Sequence, residues 1–155
     1  MQEFSQDDLR RALGRFATGV TVVTTMTPRG PLGMTVNSFS SVSLDPALVL
    51  WSPARKSARF PAFEASSHFA IHVLAADQRP LAEHFARRGD FTGIPFEPGL
   101  GDAPLLDGSL TRLECLHAVH YDGGDHLIVV GEVLRITEEE HPPLLFYRGS
   151  FRTLV

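Results

Sequence analysis

Residues Gly33 to Pro53 have the sequence GMTVNSFSSVSLDPALVLWSP, in which two alternating apolar runs surround a cluster of hydroxyl and amide side chains. Five polar residues fall within seven positions there: Thr35, Asn37, Ser38, Ser40 and Ser41. Because neighbouring strand residues point to opposite faces, Thr35 and Asn37 share one face of a strand. So many hydroxyls suit contact with a phosphate or a hydrogen-bonding heterocycle. The alternative is a Ser/Thr-rich edge strand followed by a turn.

Outward from this stretch, the sequence predicts short strands joined by turns. Strands are predicted over residues 18–26, 32–41, 48–52, 68–74, 110–121, 127–137, 144–147 and 151–155. Helices are predicted over residues 7–16, through 63–65 and over 76–88, and residues 89–107 are predicted to be a long loop. Strands outnumber helices, which predicts one mainly β domain over residues 1–155, built as a small antiparallel barrel.

Two local signals sharpen this prediction. Ser5 followed by Asp8 resembles a capping box and predicts the start of the first helix, whose apolar stripe would consist of Leu9, Leu13 and Phe16. The tetrapeptide Asp122-Gly123-Gly124-Asp125 predicts a hairpin turn, because glycine tolerates positive φ.

Composition is that of an ordinary globular protein, with 43% hydrophobic residues, 21% charged residues and a formal net charge of -4. No basic stripe is present to neutralise phosphates, which argues against a nucleic-acid partner. The single cysteine, Cys115, excludes an intrachain disulfide and fits a reducing cytoplasm. No apolar run reaches the roughly 18 residues of a membrane span, and the polar start MQEFSQDD is unlike a signal peptide. A cytoplasmic protein without a membrane partner is therefore expected.

Several common motifs are absent from the sequence. Gly99-Leu100-Gly101 is followed by Pro104 where a dinucleotide-binding motif has its third glycine. There is also no P-loop and no G-x-S-x-G elbow. Rossmann-type dinucleotide binding and serine hydrolysis therefore lose their usual support.

The histidine spacings do not predict a metal site. His117 and His120 are three positions apart in a predicted strand and are expected on opposite faces. His68 and His72 share a face but would lie about 13 Å apart, too far to bind one zinc ion. No metal is expected.

Lys56-Ser57 follows a predicted strand and precedes a helix. A lysine, a hydroxyl and free backbone N–H groups can together bind an anion there. The alternative is an exposed helix start with Ser57 as its N-cap.

His126 follows the predicted hairpin turn and opens the strand HLIVVGEV. A histidine in that place can donate a hydrogen bond or carry a proton at neutral pH. The alternative is an exposed turn histidine with no role in chemistry.

Several stretches, in this order along nearly the whole chain, resemble those of a known family. They are Arg11–Val20 (RALGRFATGV), Thr35–Pro46 (TVNSFSSVSLDP), Lys56-Ser57, Leu81–Ala86 (LAEHFA), and Gly124-Asp125-His126 leading into Val130–Val133 (VGEV). Together they resemble the flavin reductase family with the FMN-binding split-barrel fold. Its members are the small reductase partners of two-component flavin monooxygenases.

The resemblance implies an antiparallel Greek-key split β-barrel, usually a homodimer with a flavin near the subunit interface. The implied flavin contacts are Thr35, Val36, Asn37, Ser38 and Ser41 for the ring and ribityl chain, Ser52, Arg55, Lys56 and Ser57 near the phosphate, and Phe85 near the flavin edge. His126 would lie close to the nicotinamide, and Tyr147 with Arg148-Gly149 would line the pyridine nucleotide's side of the pocket. The chain departs from the family pattern at Ala47, where a second proline is common, and at His72, where an asparagine is common.

The implied activity is that of an NAD(P)H:flavin oxidoreductase that reduces FMN or FAD and supplies reduced flavin to a separate monooxygenase. Hydride passes from the nicotinamide to the flavin, so the protein mainly stacks two rings and needs no strong acid or base. His126 would orient or charge-stabilise the nicotinamide end. The alternatives are an FMN-dependent oxidase of the pyridoxamine-phosphate-oxidase type and a non-enzymatic flavin-binding protein. The sequence does not decide whether FMN or FAD is preferred, or whether NADH or NADPH is the donor. It also leaves open whether the flavin is bound tightly or exchanges as a substrate.

Overall fold

The computed structural model describes all residues from 1 to 155, and antiparallel strands dominate it. The helices are α1 (Gln6–Leu13), α2 (Phe60–Ala65) and α3 (Arg79–Arg87), with short 3-10 turns at Ala76–Gln78 and Leu100–Asp102. The strands are β1 (Thr18–Gly19), β2 (Thr21–Thr27), β3 (Gly30–Val36), β4 (Ser40–Leu44), β5 (Ala47–Trp51), β6 (His68–Val73), β7 (Glu97–Pro98), β8 (Pro104–Leu105), β9 (Thr111–Gly123), β10 (His126–Glu138), β11 (Leu144–Tyr147) and β12 (Ser150–Thr153). The predicted mainly β fold class is confirmed.

Seven strands form one antiparallel sheet in the order β3-β2-β6-β9-β10-β5-β4. The hairpins β2–β3 and β4–β5 therefore flank the three strands β6, β9 and β10, which come later in the chain. β1 pairs with β11 of the β11–β12 hairpin, and β7 pairs with β8. None of the helices has both the length and the apolar character needed to cross a membrane.

Strand alternation divides the interior into two main apolar clusters. Along β2, Val23 belongs to one cluster and its neighbour Val22 to the other. The first cluster surrounds Trp51, whose ring meets the edge of Phe63 at a centroid distance of 5.1 Å. Cys115 is buried in the same cluster, and burial raises the pKa of its thiol to about 12.

Helix α1 has the predicted capping box, with Ser5 Oγ accepting from the Asp8 backbone N–H at 3.1 Å. Its apolar stripe, however, does not enter the core of this chain. Leu9, Leu13 and Phe16 are 44%, 65% and 77% exposed. The helix is therefore defined by its cap and leaves an uncovered apolar face.

The predicted strand over residues 32–41 is interrupted in the structure. β3 ends at Val36 and β4 begins at Ser40. Between them, Ser38 Oγ accepts a hydrogen bond from the backbone N–H of Ser52 at 2.9 Å. This side-chain bond replaces strand pairing and turns the chain, which the alternation pattern alone does not reveal.

The region from residue 76 to residue 107 is more structured than predicted. The helix predicted over residues 76–88 is divided into a 3-10 turn and α3, which has Pro80 in its first turn. The predicted loop contains β7 and β8 and is held to β9 by Glu114, whose carboxylate accepts from the Leu100 backbone N–H at 2.8 Å. Hydrogen bonds from Arg135, then the Leu100 N–H, keep the pKa of that carboxyl low against the opposing effect of burial.

The expectation that His117 and His120 lie on opposite faces is wrong. The β9–β10 register shifts between Val130 and Gly131, where a bulge adds one residue to β9. The bulge brings His117 Nε2 within 3.0 Å of His120 Nδ1. Two histidines do not complete a metal site, and no group of three or more His, Cys, Asp or Glu side chains is placed to hold an ion.

His72 is fully buried and bonded on both ring nitrogens. Nε2 accepts from the Leu106 backbone N–H at 3.1 Å, so the proton is assigned to Nδ1, which donates to the Val22 carbonyl at 3.0 Å. Burial lowers the pKa of His72 to about 4. The side chain is thus a neutral link between β2, β6 and the segment after β8.

Candidate active site

A cavity of about 220 Å³, here called the ring cavity, lies where β3, α3 and the β11–β12 hairpin meet. Its lining residues are Val20, Thr35, Val36, Asn37, Ala86, Phe146 and Phe151. Phe146 and Phe151 are paired across the hairpin, with ring centroids 5.4 Å apart. Apolar side chains thus form most of the walls, and β3 supplies the polar edge.

The contact between β3 and α3 fixes one wall of the ring cavity. Thr35 Oγ1 donates to the Ala82 carbonyl of α3 at 2.6 Å. At Gly33, an added Cβ would lie 2.6 Å from the buried ring of Phe85. Only glycine therefore allows the helix to approach β3 this closely.

Three of the predicted flavin contacts, Thr35, Val36 and Asn37, line the ring cavity. Ser38 lies just beyond it and is bonded to the backbone of Ser52. Ser41 is on the exposed edge strand β4 and does not line the cavity.

Phe85 does not line the ring cavity either. It is fully buried behind the wall and packs on Phe91, with ring centroids 4.9 Å apart. Its neighbour Ala86 faces the cavity instead. Phe85 therefore supports the wall from behind.

The segment Ser52–Ser57, here called the phosphate turn, joins β5 to α2. Ser57 Oγ accepts from the Arg59 backbone N–H at 3.2 Å, but the N-cap of α2 is Arg59, so the N-capping role considered for Ser57 is wrong. Lys56 is exposed and has no side-chain partner in the chain. These two residues leave a cation and a hydroxyl on one short turn.

Arg55 connects the phosphate turn to the segment Asp122–His126, here called the histidine turn. Its side chain donates to the Gly124 carbonyl at 3.0 Å and pairs with the carboxylate of Asp122. Its backbone N–H donates to the Asp125 carbonyl at 2.9 Å. The structure thus brings Lys56-Ser57 and Gly124-Asp125-His126 together, while it engages Arg55 in the protein itself.

His126 lies at the edge of this assembly with its side chain 45% exposed. Its Nδ1 is 2.7 Å from the carboxylate of Asp125. The hydrogen bond from His126, followed by the charges of His126 and Lys56, lowers the pKa of that carboxyl. Because Nδ1 is held in this way, Nε2 is left for a ligand.

Sequence reasoning missed several residues of the site. Val20, Ala86, Phe146 and Phe151 line the ring cavity, but apolar residues in strands and helices read as ordinary core. Tyr147, the predicted contact on the same hairpin, does not line it and carries the Arg152 guanidinium over its ring at 5.7 Å. The only sequence feature that pointed to this wall is the turn Arg148-Gly149, which joins the two strands that carry Phe146 and Phe151.

The polar atoms around the ring cavity fit a flat heterocycle with hydrogen-bonding edges. The Asn37 side chain also lines a second cavity of about 250 Å³, beside the buried and unpartnered Oγ1 of Thr18. Hydroxyl and amide groups next to aromatic walls can bind a flat ring such as isoalloxazine.

Residues 13–155 match the family model described as "Flavin reductase like domain". The chain belongs to this flavin reductase family. One relative, the "FMN reductase (NADH) SmoA" of Agrobacterium fabrum, is 56% identical over 143 residues, which cover 92% of this chain and 82% of that protein. The "Flavin-dependent monooxygenase, reductase subunit HsaB" of Mycobacterium tuberculosis is 39% identical over 147 residues and 92% of this chain, and 79% of that protein is covered.

A solved structure agrees with these relatives. The Streptomyces globisporus NADH:FAD oxidoreductase SgcE6, in complex with NAD and FAD fragments, superposes with a TM-score of 0.89 and 39% identity. The match covers 100% of this chain and 98% of that one. The predicted family, its fold and its enzyme class, a flavin reductase that works with flavin and pyridine nucleotide, are confirmed over the oxidase and carrier alternatives.

Proposed function

We propose that this flavin reductase oxidises NADH, reduces FMN in the ring cavity and releases reduced flavin to a separate flavin-dependent monooxygenase. The observation that carries the proposal is the apolar cavity edged by Thr35 and Asn37, because it offers a ring-binding wall without a catalytic acid or base. The names of the relatives support it, since SmoA is named an NADH-dependent FMN reductase and HsaB a reductase subunit of a monooxygenase.

In this proposal, the ring cavity binds the flavin ring and the phosphate turn binds its phosphate. Thr35, Val36 and Asn37 would contact the ring, and Lys56 with Ser57 would bind the phosphate. A lysine and a hydroxyl on one turn supply the charge and the hydrogen bond that a phosphate ester needs. Arg55 is already bonded to the histidine turn, so its role is to hold the two turns together.

The bound flavin would accept the hydride, and side chains of the protein would align the nicotinamide that donates it. Asp125 accepts from His126 Nδ1, which fixes the imidazole plane and points Nε2 away from the protein. From there Nε2 can hydrogen-bond to the carboxamide of a nicotinamide stacked on the exposed flavin face. His126 therefore orients the donor ring, and no proton needs to move in the hydride step itself.

FMN is the proposed flavin because SmoA, the relative that is 56% identical to this chain, is named an FMN reductase. Ala103 and Leu105 are buried against Ala70 of β6, and the Pro104 carbonyl accepts from Thr24 Oγ1 at 2.6 Å. Residues 103–105, at the end of the segment after α3, are therefore engaged in packing, whereas residues 92–98 are mostly exposed.

A homodimer is proposed from the uncovered apolar residues. Exposed large apolar side chains lie on α1 or just after it (Leu9, Leu13, Phe16), on β4 (Val42, Leu44) and on β9–β10 (Val119, Tyr121, Leu134, Ile136). Exposed apolar patches of this kind mark contact surfaces. Light scattering on a dilution series should give twice the mass of one chain, and a single-chain mass throughout would contradict the dimer. The cytoplasmic location stays a prediction.

The activity is tested by mixing the purified protein with NADH and FMN in air and following NADH absorbance, with parallel reactions containing FAD or no added flavin. The proposal expects NADH loss that depends on added flavin and is faster with FMN than with FAD. A faster reaction with FAD would overturn the FMN assignment. No flavin-dependent loss with NADH or NADPH would overturn the proposed function.

A further inference from the structure

The side chain of Arg59 enters the protein behind the ring cavity and donates only to backbone carbonyls. Its Nη1 lies 2.9 Å from the Gly33 oxygen, 2.6 Å from the Phe85 oxygen and 3.4 Å from the Arg88 oxygen. Its Nη2 lies 3.4 Å from the Ala86 oxygen. No carboxylate pairs with it, and burial lowers the pKa of the guanidinium. The guanidinium is partly buried, and four backbone carbonyls, in place of a counter-ion, accept its hydrogen bonds on the protein side.

These carbonyls belong to the two elements that form the ring-cavity wall. Gly33 lies in β3, two residues before Thr35, and the other carbonyls lie at the C-terminal end of α3, next to Ala86. The negative end of the helix dipole falls there, which favours a cation. The Arg59 backbone N–H, in turn, donates to Ser57 Oγ of the phosphate turn. One side chain therefore connects the ring wall to the phosphate turn.

Close packing fixes the position of this connection. The Gly33 backbone N–H donates to the Gly89 carbonyl at 2.9 Å, which closes the chain around the arginine stem. At Gly89, an added Cβ would lie 2.7 Å from Arg59 Cδ and 2.6 Å from Leu32 Cδ1. A side chain at residue 89 would therefore displace the Arg59 stem or the Leu32 side chain.

We propose that Arg59 is a positioning residue that sets the distance between the ring cavity and the phosphate turn. It makes one rigid site from two separate parts, so that a flavin carrying a phosphate is bound better than one without it. The inference rests on the proposed function, in which the ring binds at Thr35–Asn37 and the phosphate at Lys56-Ser57. Loosening the connection penalises a ligand that spans both parts more than a ligand that occupies the ring cavity alone.

The test measures KM and kcat with FMN and with riboflavin, which lacks the phosphate, for the wild type and Arg59→Lys. Lysine keeps the charge, but its single ammonium nitrogen cannot donate to all four of the carbonyls that the two Nη atoms of arginine reach. We expect the KM for FMN to rise about tenfold, the KM for riboflavin to rise about twofold, and kcat per folded protein to stay nearly constant. Arg87→Met is the matched control, because Arg87 is an exposed arginine at the same helix end with no hydrogen-bond partner, and it should change neither KM.

A merely structural role would lower the folded fraction and reduce activity with both flavins alike, leaving the two KM values unchanged. That result, or an equal rise in both, would overturn the inference. If Arg59→Lys does not fold, Gly89→Ala displaces the same stem and should lower the preference for FMN over riboflavin in the same direction. An unchanged preference there would overturn the inference too.

Lys56→Met separates this inference from the proposed site on which it rests. It should abolish most of the preference for FMN over riboflavin. If Lys56→Met leaves that preference unchanged, the phosphate assignment is wrong. If Lys56→Met removes it while Arg59→Lys keeps it, the phosphate assignment stands and the role of Arg59 is wrong.

Discussion

The ring-cavity wall and the histidine turn are built in opposite ways. The wall is locked by buried contacts, among them the Thr35–Ala82 hydrogen bond and the Gly33–Phe85 packing. The histidine turn is held by exposed pairs, such as Arg55 with Asp122 and Asp125 with His126. Exposed pairs contribute little to stability, whereas buried packing contributes much. Changes at the wall should therefore alter folding and flavin binding together, and changes at the turn should alter the reaction with NADH alone.

The largest expected effect is a pH dependence of folding, through His72, which is buried in the interior away from both the ring-cavity wall and the histidine turn. Its pKa is lowered to about 4 in the fold, against 6.5 for an ordinary histidine, so the unfolded chain binds more protons between these values. The contribution to stability is complete above pH 6.5 and is lost as the pH falls toward 4, by up to about 3 kcal/mol. Denaturant unfolding across this range measures it. His72→Asn should flatten the slope, and an unchanged slope in that variant would contradict the assignment.

Gly33→Ala should damage the wall next most strongly. The new Cβ would overlap the Phe85 ring and push α3 away from β3, at a cost of about 2 kcal/mol in the free energy of unfolding. Chemical denaturation and FMN titration should both show the loss. Gly19→Ala serves as the control for unfolding, because an added Cβ at Gly19 meets nothing within 4 Å. If the two variants were equally stable, the close contact between Gly33 and the Phe85 ring would not explain the requirement for glycine at residue 33.

His126→Ala should affect only the reaction. Losing one hydrogen bond to the nicotinamide should lower kcat/KM for NADH about tenfold without changing the free energy of unfolding or the KM for flavin. His141→Ala is the matched change, since His141 is also paired with a neighbouring carboxylate, that of Glu139, at the surface. Identical NADH kinetics in both variants would end the proposed role of His126.

Asp125→Asn should give the smallest effect. The amide keeps the shape of the side chain but holds the imidazole less firmly, so kcat/KM for NADH should fall about threefold. The double variant with His126→Ala should be no worse than His126→Ala alone, because Asp125 acts through that ring. Additive losses would show that Asp125 has a separate function.

Much of the fold could be predicted because it follows from local patterns. The Val/Thr-rich run of β2, the Gly124 turn and the cap at Ser5 are each specified by a few adjacent residues. The break after Val36 could not be predicted, because it depends on Ser38 meeting Ser52 across the fold. The bulge that joins His117 to His120 likewise depends on the register with β10.

The same distinction applies to the site. Thr35 and Asn37 could be located because polar residues in a strand next to apolar runs are unusual, whereas Val36 was predicted from the family resemblance. Phe146 and Phe151 could not, since an aromatic residue facing a cavity has the same sequence signature as one in the core. Arg59 leaves no signal at all, because every group it binds is a backbone carbonyl, which all residues share.

The buried thiol of Cys115 has a consequence for the lifetime of the enzyme. Free reduced flavin reacts with dioxygen and generates hydrogen peroxide, so a flavin reductase works beside a source of oxidant. Peroxide attacks thiolates, and a thiol whose pKa is raised to about 12 contains almost none at neutral pH. With its one cysteine protonated and enclosed by the sheet, the chain has no reactive sulfhydryl to lose to its own by-product.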